Sequence, residues 1–186
     1  MQEILAAGVI GEIKYIQSTF RFFLDRPNTI KVRAELGGGS LYDVGCYPVD
    51  FAGLVTGMAP VSVAAEDGFE NGVDHIFSGV LRYPGGIIAS INSGFNAFPR
   101  NYSEITGTKG RIEVPDTFLG NAGTIRVITV TGTEELAVAE SDRLEIADFT
   151  RAVVEGGQPR ISLTESLRNL RVIGSLFQSL QGKKPA

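Results

Sequence analysis

The stretch from residue 60 to residue 132 constrains the fold more than any other. Its segments PVSVAAEDGFE, DHIFSGVLRYP, GIIASINSGFN, YSEITGTKGRIEVPD and TIRVITVTG are rich in Val, Ile, Phe, Tyr and Thr, the composition of strands. ENG, YPGG, TKG and DTFLGNAG lie between them or interrupt them, and each is a turn signal built on Gly, Pro, Asn or Asp. Strands that follow one another through tight turns predict a largely antiparallel sheet, because parallel neighbours need long crossovers. EIKYIQSTFRFF predicts one more strand at 12–23.

Helical spacing brackets that run. LYDVGCYPVDFAGLVTG places Leu41, Val44, Val49, Ala52 and Val55 at roughly helical intervals and stops at Gly57. Two further helices are predicted. Asp142 to Val154 ends at Gly156-Gly157, and Thr164 to Leu180 is entered through Thr164, Glu165 and Ser166 and stopped by Gly182. MQEILAAG reads as a helix tail with Gly8 as C-cap, and DRPNTIKVRAELGGG as a loop. The expected fold class is α+β, a largely antiparallel open sheet with helices packed on one face, in a single domain over residues 1–186. The strands from 60 to 95 carry apolar residues of both parities, so the second sheet face needs a cover. Self-association is the expectation, a homo-oligomer through the open sheet face.

Hydrophobic residues make up 43% of the chain, charged residues 20%, and the net charge is -4, which is the balance of an ordinary globular domain. The acidic balance gives no electrostatic footprint for nucleic acid. No segment approaches the ~20 apolar residues of a membrane span, and the N-terminus lacks the basic start of a signal peptide. The one cysteine, Cys46, cannot form an internal disulfide, which suits a reducing, cytoplasmic location. One Cys and one His exclude a Cys/His metal cluster, so no metal is expected. GTKGRIEV lacks the GxxxxGK[ST] phosphate loop, and GGGSLYDVG is not a GxGxxG between a strand and a helix of a βαβ unit. These residues show no dinucleotide-binding domain.

Asp43, Tyr47 and Asp50 are four and three residues apart. On a regular helix they share one face. A phenol between two carboxylates can transfer protons or hold a polyol through several hydrogen bonds. Gly45 inside the helix costs about 1 kcal/mol relative to Ala, so a packing reason or a close approach is wanted there. Pro48 must kink the helix or sit in its first turn. The plain structural reading stays open beside this one: GGG a loop, Asp43 a first-turn acid, Tyr47 the edge of an amphipathic core. His75 reads as a core-edge histidine, Cys46 as a packing residue, Arg100 as a solvated arginine, and Glu134, Glu135, Glu140 and Asp142 as solvated surface.

Taken together, GGGSLYDVGCYPVD resembles the motif GGG-x-L-x-D-x-G-x-(H/Y)-x-x-(D/N/H) of the Gfo/Idh/MocA family, named for glucose–fructose oxidoreductase, inositol dehydrogenase and a rhizopine catabolism protein. AAGVIGEIKYIQSTF, YSEITGTKGRIEVPD and SLRNLRVIGSLFQSLQGKKP look like the family's entry to its second domain, its E-I-x-G-T-x-G strand pair and its closing helix. The resemblance implies the C-terminal domain of an NAD(P)-dependent oxidoreductase acting on a sugar, polyol or diol carbinol, Tyr-type as in dihydrodiol dehydrogenase-like members. NAD or NADP would be bound mainly by an N-terminal Rossmann domain, absent from these residues, to which the helix tail 1–8 would belong. By the same resemblance Tyr47 would be the general acid/base and Asp43 its catalytic partner. Asp50 and Lys31 would contact substrate, and Gly45 would let the nicotinamide approach. The cation that such a tyrosine needs is, in the family, a lysine of a Glu-Lys-Pro motif, which this sequence lacks. The implied activity needs the Rossmann domain. The alternative is a free-standing, non-catalytic ligand-binding or oligomerisation module.

Overall fold

The computed structural model describes residues 1–26 and 28–181. Eight strands form one sheet: β1 (Ile13–Phe23), β2 (Ser62–Glu70), β3 (Val73–Arg82), β4 (Ile88–Gly94), β5 (Asn96–Gly107), β6 (Gly110–Pro115), β7 (Gly123–Thr129) and β8 (Gly132–Val138). Their order is β2-β3-β4-β1-β5-β6-β7-β8. Two antiparallel meanders, β2 to β4 and β5 to β8, flank β1. β1 pairs antiparallel with β5 and parallel with β4, the one parallel seam. Phe95 alone carries the chain from β4 to β5 across the end of β1, where Leu24 N–H donates to its carbonyl at 2.8 Å.

The helices are α1 (Gln2–Ala6), α2 (Cys46–Thr56), α3 (Ser141–Glu155) and α4 (Leu163–Gln181), with a π turn, Leu41–Gly45, running directly into α2. Helix α2 stops at Gly57, which takes the left-handed conformation at φ +67°, as its lack of a Cβ allows. Helix α4 buries Val172, Ile173, Leu176 and Leu180, one stripe at helical spacing. That stripe and Val49, Ala52 and Val55 of α2 meet Ile16, Phe77, Leu81, Ile91, Ile105 and Ile112 of the sheet in one core. The sheet is mostly antiparallel and carries its packed helices on one face, as the sequence predicts.

Three details differ from expectation. The sequence predicts solvated surface around Glu134 and Glu135 but no strand there, and residues 132–138 form β8. It is an edge strand with Glu134 and Glu135 exposed, so burial leaves no mark on its composition. The entry to α4 is capped by Ser162: its Oγ accepts from Glu165 N–H at 3.2 Å, while its own N–H donates to the Glu165 carboxylate at 2.8 Å. This capping box begins two residues before the polar entry expected at Thr164. The stop expected at Gly182 lies outside the described residues. Helix α3 adds nothing to the core: Leu144, Ile146, Phe149, Val153 and Val154 are all exposed.

The outer sheet face is mixed rather than apolar. Arg21 donates to Asn92 at 3.0 Å and Asn92 to Ser78 at 3.0 Å, and Glu113 pairs with Arg111 and Arg126. Ile76 and Val80 lie exposed among these polar groups. Arg100 stacks on Tyr102, 4.4 Å from the ring centroid. Burial pushes the Tyr102 hydroxyl up to about 12, helped by its hydrogen bond to Glu104.

Leu176 is fully buried between α4 and the sheet, at 0% exposure. Leu176→Ala is expected to cost about 3 kcal/mol in urea denaturation. Phe149→Ala on α3 should change stability by less than about 0.5 kcal/mol. A comparable loss from Phe149→Ala would show that α3 packs on the body.

Candidate functional site

The site is assembled around the glycines that precede the π turn. Residues 30–36 form two short 3-10 turns, Ile30–Val32 and Ala34–Leu36, the first capped by Thr29, whose hydroxyl accepts from Lys31 N–H at 3.1 Å. Gly38 N–H donates to Arg33 O at 2.9 Å and Gly39 N–H to Lys31 O at 2.8 Å. This is backbone laid on backbone: a Cβ on Gly38 would lie within 2.8 Å of Lys31 O, Arg33 N and Ile30 O. Gly39 sits at φ +124°, and a Cβ there would collide with the Asp74 carboxylate. Both positions need glycine for steric reasons.

The π turn then rises from the sheet. Gly45 is buried, and a Cβ on it would come 2.9 Å from Ser93 Oγ of β4 and 3.0 Å from the Leu41 side chain. The missing side chain is thus explained by helix-to-sheet packing. Pro48 is the third residue of α2, so it sits in the first turn. Because the π turn runs straight into α2, the missing N–H of Pro48 falls just past the junction of the two helical periods.

The three acid and phenol side chains do not form one cluster. Asp43 accepts from Lys31 Nζ at 2.7 and 2.5 Å, with the two side chains 22% and 34% exposed. The ammonium also lies 5.7 Å from the Phe22 ring centroid, within cation–π reach. Tyr47 packs edge-on against Phe20 at 5.4 Å and against Phe118 at 5.5 Å, and those two rings stack on each other at 5.7 Å. Tyr47 nevertheless stays 46% exposed, held from one side and open on the other. Asp50 turns to α4, where it accepts from Asn169 Nδ2. Burial pushes its carboxyl up, against the hydrogen bond from Asn169 and the nearby Arg168 charge. The common face predicted for Asp43, Tyr47 and Asp50 assumed 3.6 residues per turn. The π turn is wider, so the residues before and after it lose that spacing.

Cys46 is half-buried and burial pushes its thiol up, which suits packing. The His75 ring meets Phe95 edge-on at 6.4 Å. Sequence reasoning missed Asp74, Phe20, Phe118 and Asn169. Val73 and Asp74 are consecutive and both buried, because the β2–β3 register shifts between Gly68 and Phe69. That bulge removes the parity that would have marked Asp74 as inward-facing.

The sequence profile of the GFO/IDH/MocA C-terminal domain matches residues 1–113, and the chain belongs to this family. It is 33% identical over 184 residues to a D-xylose 1-dehydrogenase (NADP(+)) of Haloferax volcanii, an alignment that takes in 95% of this chain and 57% of that enzyme. It is 39% identical over 119 residues to trans-1,2-dihydrobenzene-1,2-diol dehydrogenase of Xenopus tropicalis, covering 62% of this chain and 35% of that one. The fold superposes on aldose-aldose oxidoreductase from Caulobacter crescentus with a TM-score of 0.87 at 21% identity, over 98% of this chain and 57% of that one. The chain therefore spans little more than half the length of the enzymes it matches along its whole extent.

Gly39 and Gly37 both lie at positive φ, +124° and +74°, but only Gly39 has a neighbour where a Cβ would go. Gly37→Ala is expected to lose about 1 kcal/mol, the cost of left-handed backbone alone. Gly39→Ala should lose at least about 2 kcal/mol more in urea denaturation, from strain plus the collision with Asp74. Equal losses would mean that the Gly39–Asp74 contact has no energetic weight.

Proposed function

We propose that this chain is the substrate side of an NAD(P)-dependent oxidoreductase that acts on a carbinol of a sugar, polyol or diol. The observation that carries the reading is the state of Tyr47, its ring held by Phe20 and Phe118 yet 46% exposed beside an open aromatic shelf. A phenol fixed in direction and open to solvent can exchange a proton with a substrate hydroxyl. Lys31 and Asp43 act as a unit. The ammonium retains donor capacity beyond the carboxylate it holds, and the carboxylate retains lone pairs, so together they can fix a neighbouring hydroxyl. Phe20 and Phe118 offer an apolar wall to the C–H face of a sugar or diol. Asp50 serves as a tie between α2 and α4, and Gly45 lets the π turn close on β4.

Bound nicotinamide would supply the hydride acceptor or donor. Among the described residues no glycine turn joins a strand to a helix in a way that grips a pyrophosphate, so the dinucleotide would be held mainly outside this domain. In the oxidising direction a deprotonated Tyr47 oxygen would take the carbinol hydroxyl proton, with oxidised nicotinamide as the hydride acceptor. Phenols in water titrate near 10, so a cation beside the phenol is needed for work near neutral pH. The relatives' greater length and the bare apolar side of α3 both fit a further domain that supplies the cofactor, that cation and a second wall. Without it the 186 residues would be inactive. Self-association through the outer sheet face belongs to the same proposal, supported by the lack of a helix packed there among the described residues. A clean monomer in light scattering at high concentration would remove it.

The intact mass of the polypeptide carrying these residues in its source comes first. Peptides of residues 1–186 running in a chain well above 19.9 kDa support the two-domain reading, and a 19.9 kDa product supports a free-standing module. In the longer enzyme Tyr47→Phe is expected to lower turnover by about 10²-fold or more. Near-normal turnover would take Tyr47 out of the chemistry.

A further inference from the structure

Asp74 is the buried carboxylate that the chemistry above does not use. It is 3% exposed, and a carboxylate that far from water persists only where its oxygens are satisfied. One of its oxygens accepts from Ser40 Oγ at 2.7 Å and from Leu41 N–H at 2.7 Å. Ser40 in turn meets Ser93 Oγ of β4 at 3.0 Å. With its own proton given to Asp74, the Ser40 oxygen accepts from Ser93. Gly39 is pressed against the other Asp74 oxygen with no room for a side chain.

The Gly39 peptide is where these contacts reach the site. Its N–H donates to Lys31 O at 2.8 Å and its carbonyl accepts from Asp43 N–H at 3.0 Å. The main chains of both members of the Lys31–Asp43 pair therefore hang on one residue, and that residue lies between the Asp74 carboxylate and the Ser40–Leu41 segment it clamps. Burial pushes the Asp74 carboxyl up while the Ser40 and Leu41 hydrogen bonds pull it down. A group held against its own desolvation in this way has a geometric task at the base of the π turn.

We propose that Asp74 is a positioning residue: through Ser40, Leu41 and the Gly39 peptide it sets the π turn in the register that brings Asp43 onto Lys31. The functional meaning of that pairing rests on the oxidoreductase reading above. The pairing itself can be tested without it.

The experiment is competitive acetylation of the 186-residue chain with acetic anhydride, read by mass spectrometry of tryptic peptides well below the melting temperature. In the wild type Lys31, held by Asp43, should label several-fold more slowly than the exposed Lys109. Asp74→Asn should raise Lys31 labelling several-fold and leave Lys14 and Lys109 unchanged, with the circular dichroism of the folded state retained. Ser40→Ala, which keeps the carboxylate-to-Leu41 bond, should have a smaller effect in the same direction and serves if Asp74→Asn does not fold. A merely structural Asp74 would lower the melting temperature and leave the Lys31 rate alone, and that result overturns the proposal. In the longer enzyme the same substitutions should lower kcat more than they raise KM. Raised Lys31 labelling in the 186-residue chain, together with a longer enzyme that shows no dehydrogenase activity, would support the positioning role and overturn the oxidoreductase reading alone.

Discussion

A segment of bare backbone, Gly38-Gly39, is squeezed between the 3-10 turn that carries Lys31 and the carboxylate of Asp74. Much of the site depends on that contact. Short, directional main-chain hydrogen bonds close the loop on itself, and the Asp74 carboxylate, accepting from Ser40 Oγ and Leu41 N–H, ties it to β3. The contact also brings the side chains of Lys31 and Asp43 together across 12 residues of sequence. Close approach of this kind is available only where no Cβ intervenes, and here Gly38 and Gly39 supply it.

The sheet provides the second half of the same geometry. β1 lies in its middle and carries Phe20 and Phe22 toward the site, while Ser93 of β4 is the floor on which the π turn rests. The parallel seam between β1 and β4 is what sets these strands side by side. The aromatic shelf under Tyr47 is thus drawn from β1, α2 and the loop after β6. They contribute Phe20, Phe51 and Phe118 respectively, and none of the three is near the others in sequence.

The two flanks of the domain are unlike each other. On the inner face α2 and α4 bury a continuous core. On the outer face ion pairs and amide bonds run across β1, β3, β4, β6 and β7, and α3 stands clear with its apolar residues exposed. An exposed apolar helix has little stability of its own in water. The chain spans little more than half the length of the D-xylose 1-dehydrogenase it matches, and the apolar residues of this helix stay uncovered among the described residues.

Period and punctuation were legible in the residues alone. Alternation and Gly-rich turns marked β1 to β7, helical spacing marked α2, α3 and α4, and the GGGSLYDVGCYPVD run marked the place where Asp43 and Tyr47 stand. Those features are local, and local propensity and hydrophobic spacing encode them directly. Sequence did not reveal β8, an edge strand most of whose residues are exposed, or the separation of Asp50 from Asp43, which a π turn produces. Nor did it reveal the importance of Asp74, a strand acid whose burial follows from a bulge two strands away in space from β1. Tertiary structure decided these because each turns on which backbone lies against which. That is settled when the sheet and helices pack, and no spacing along the chain records it.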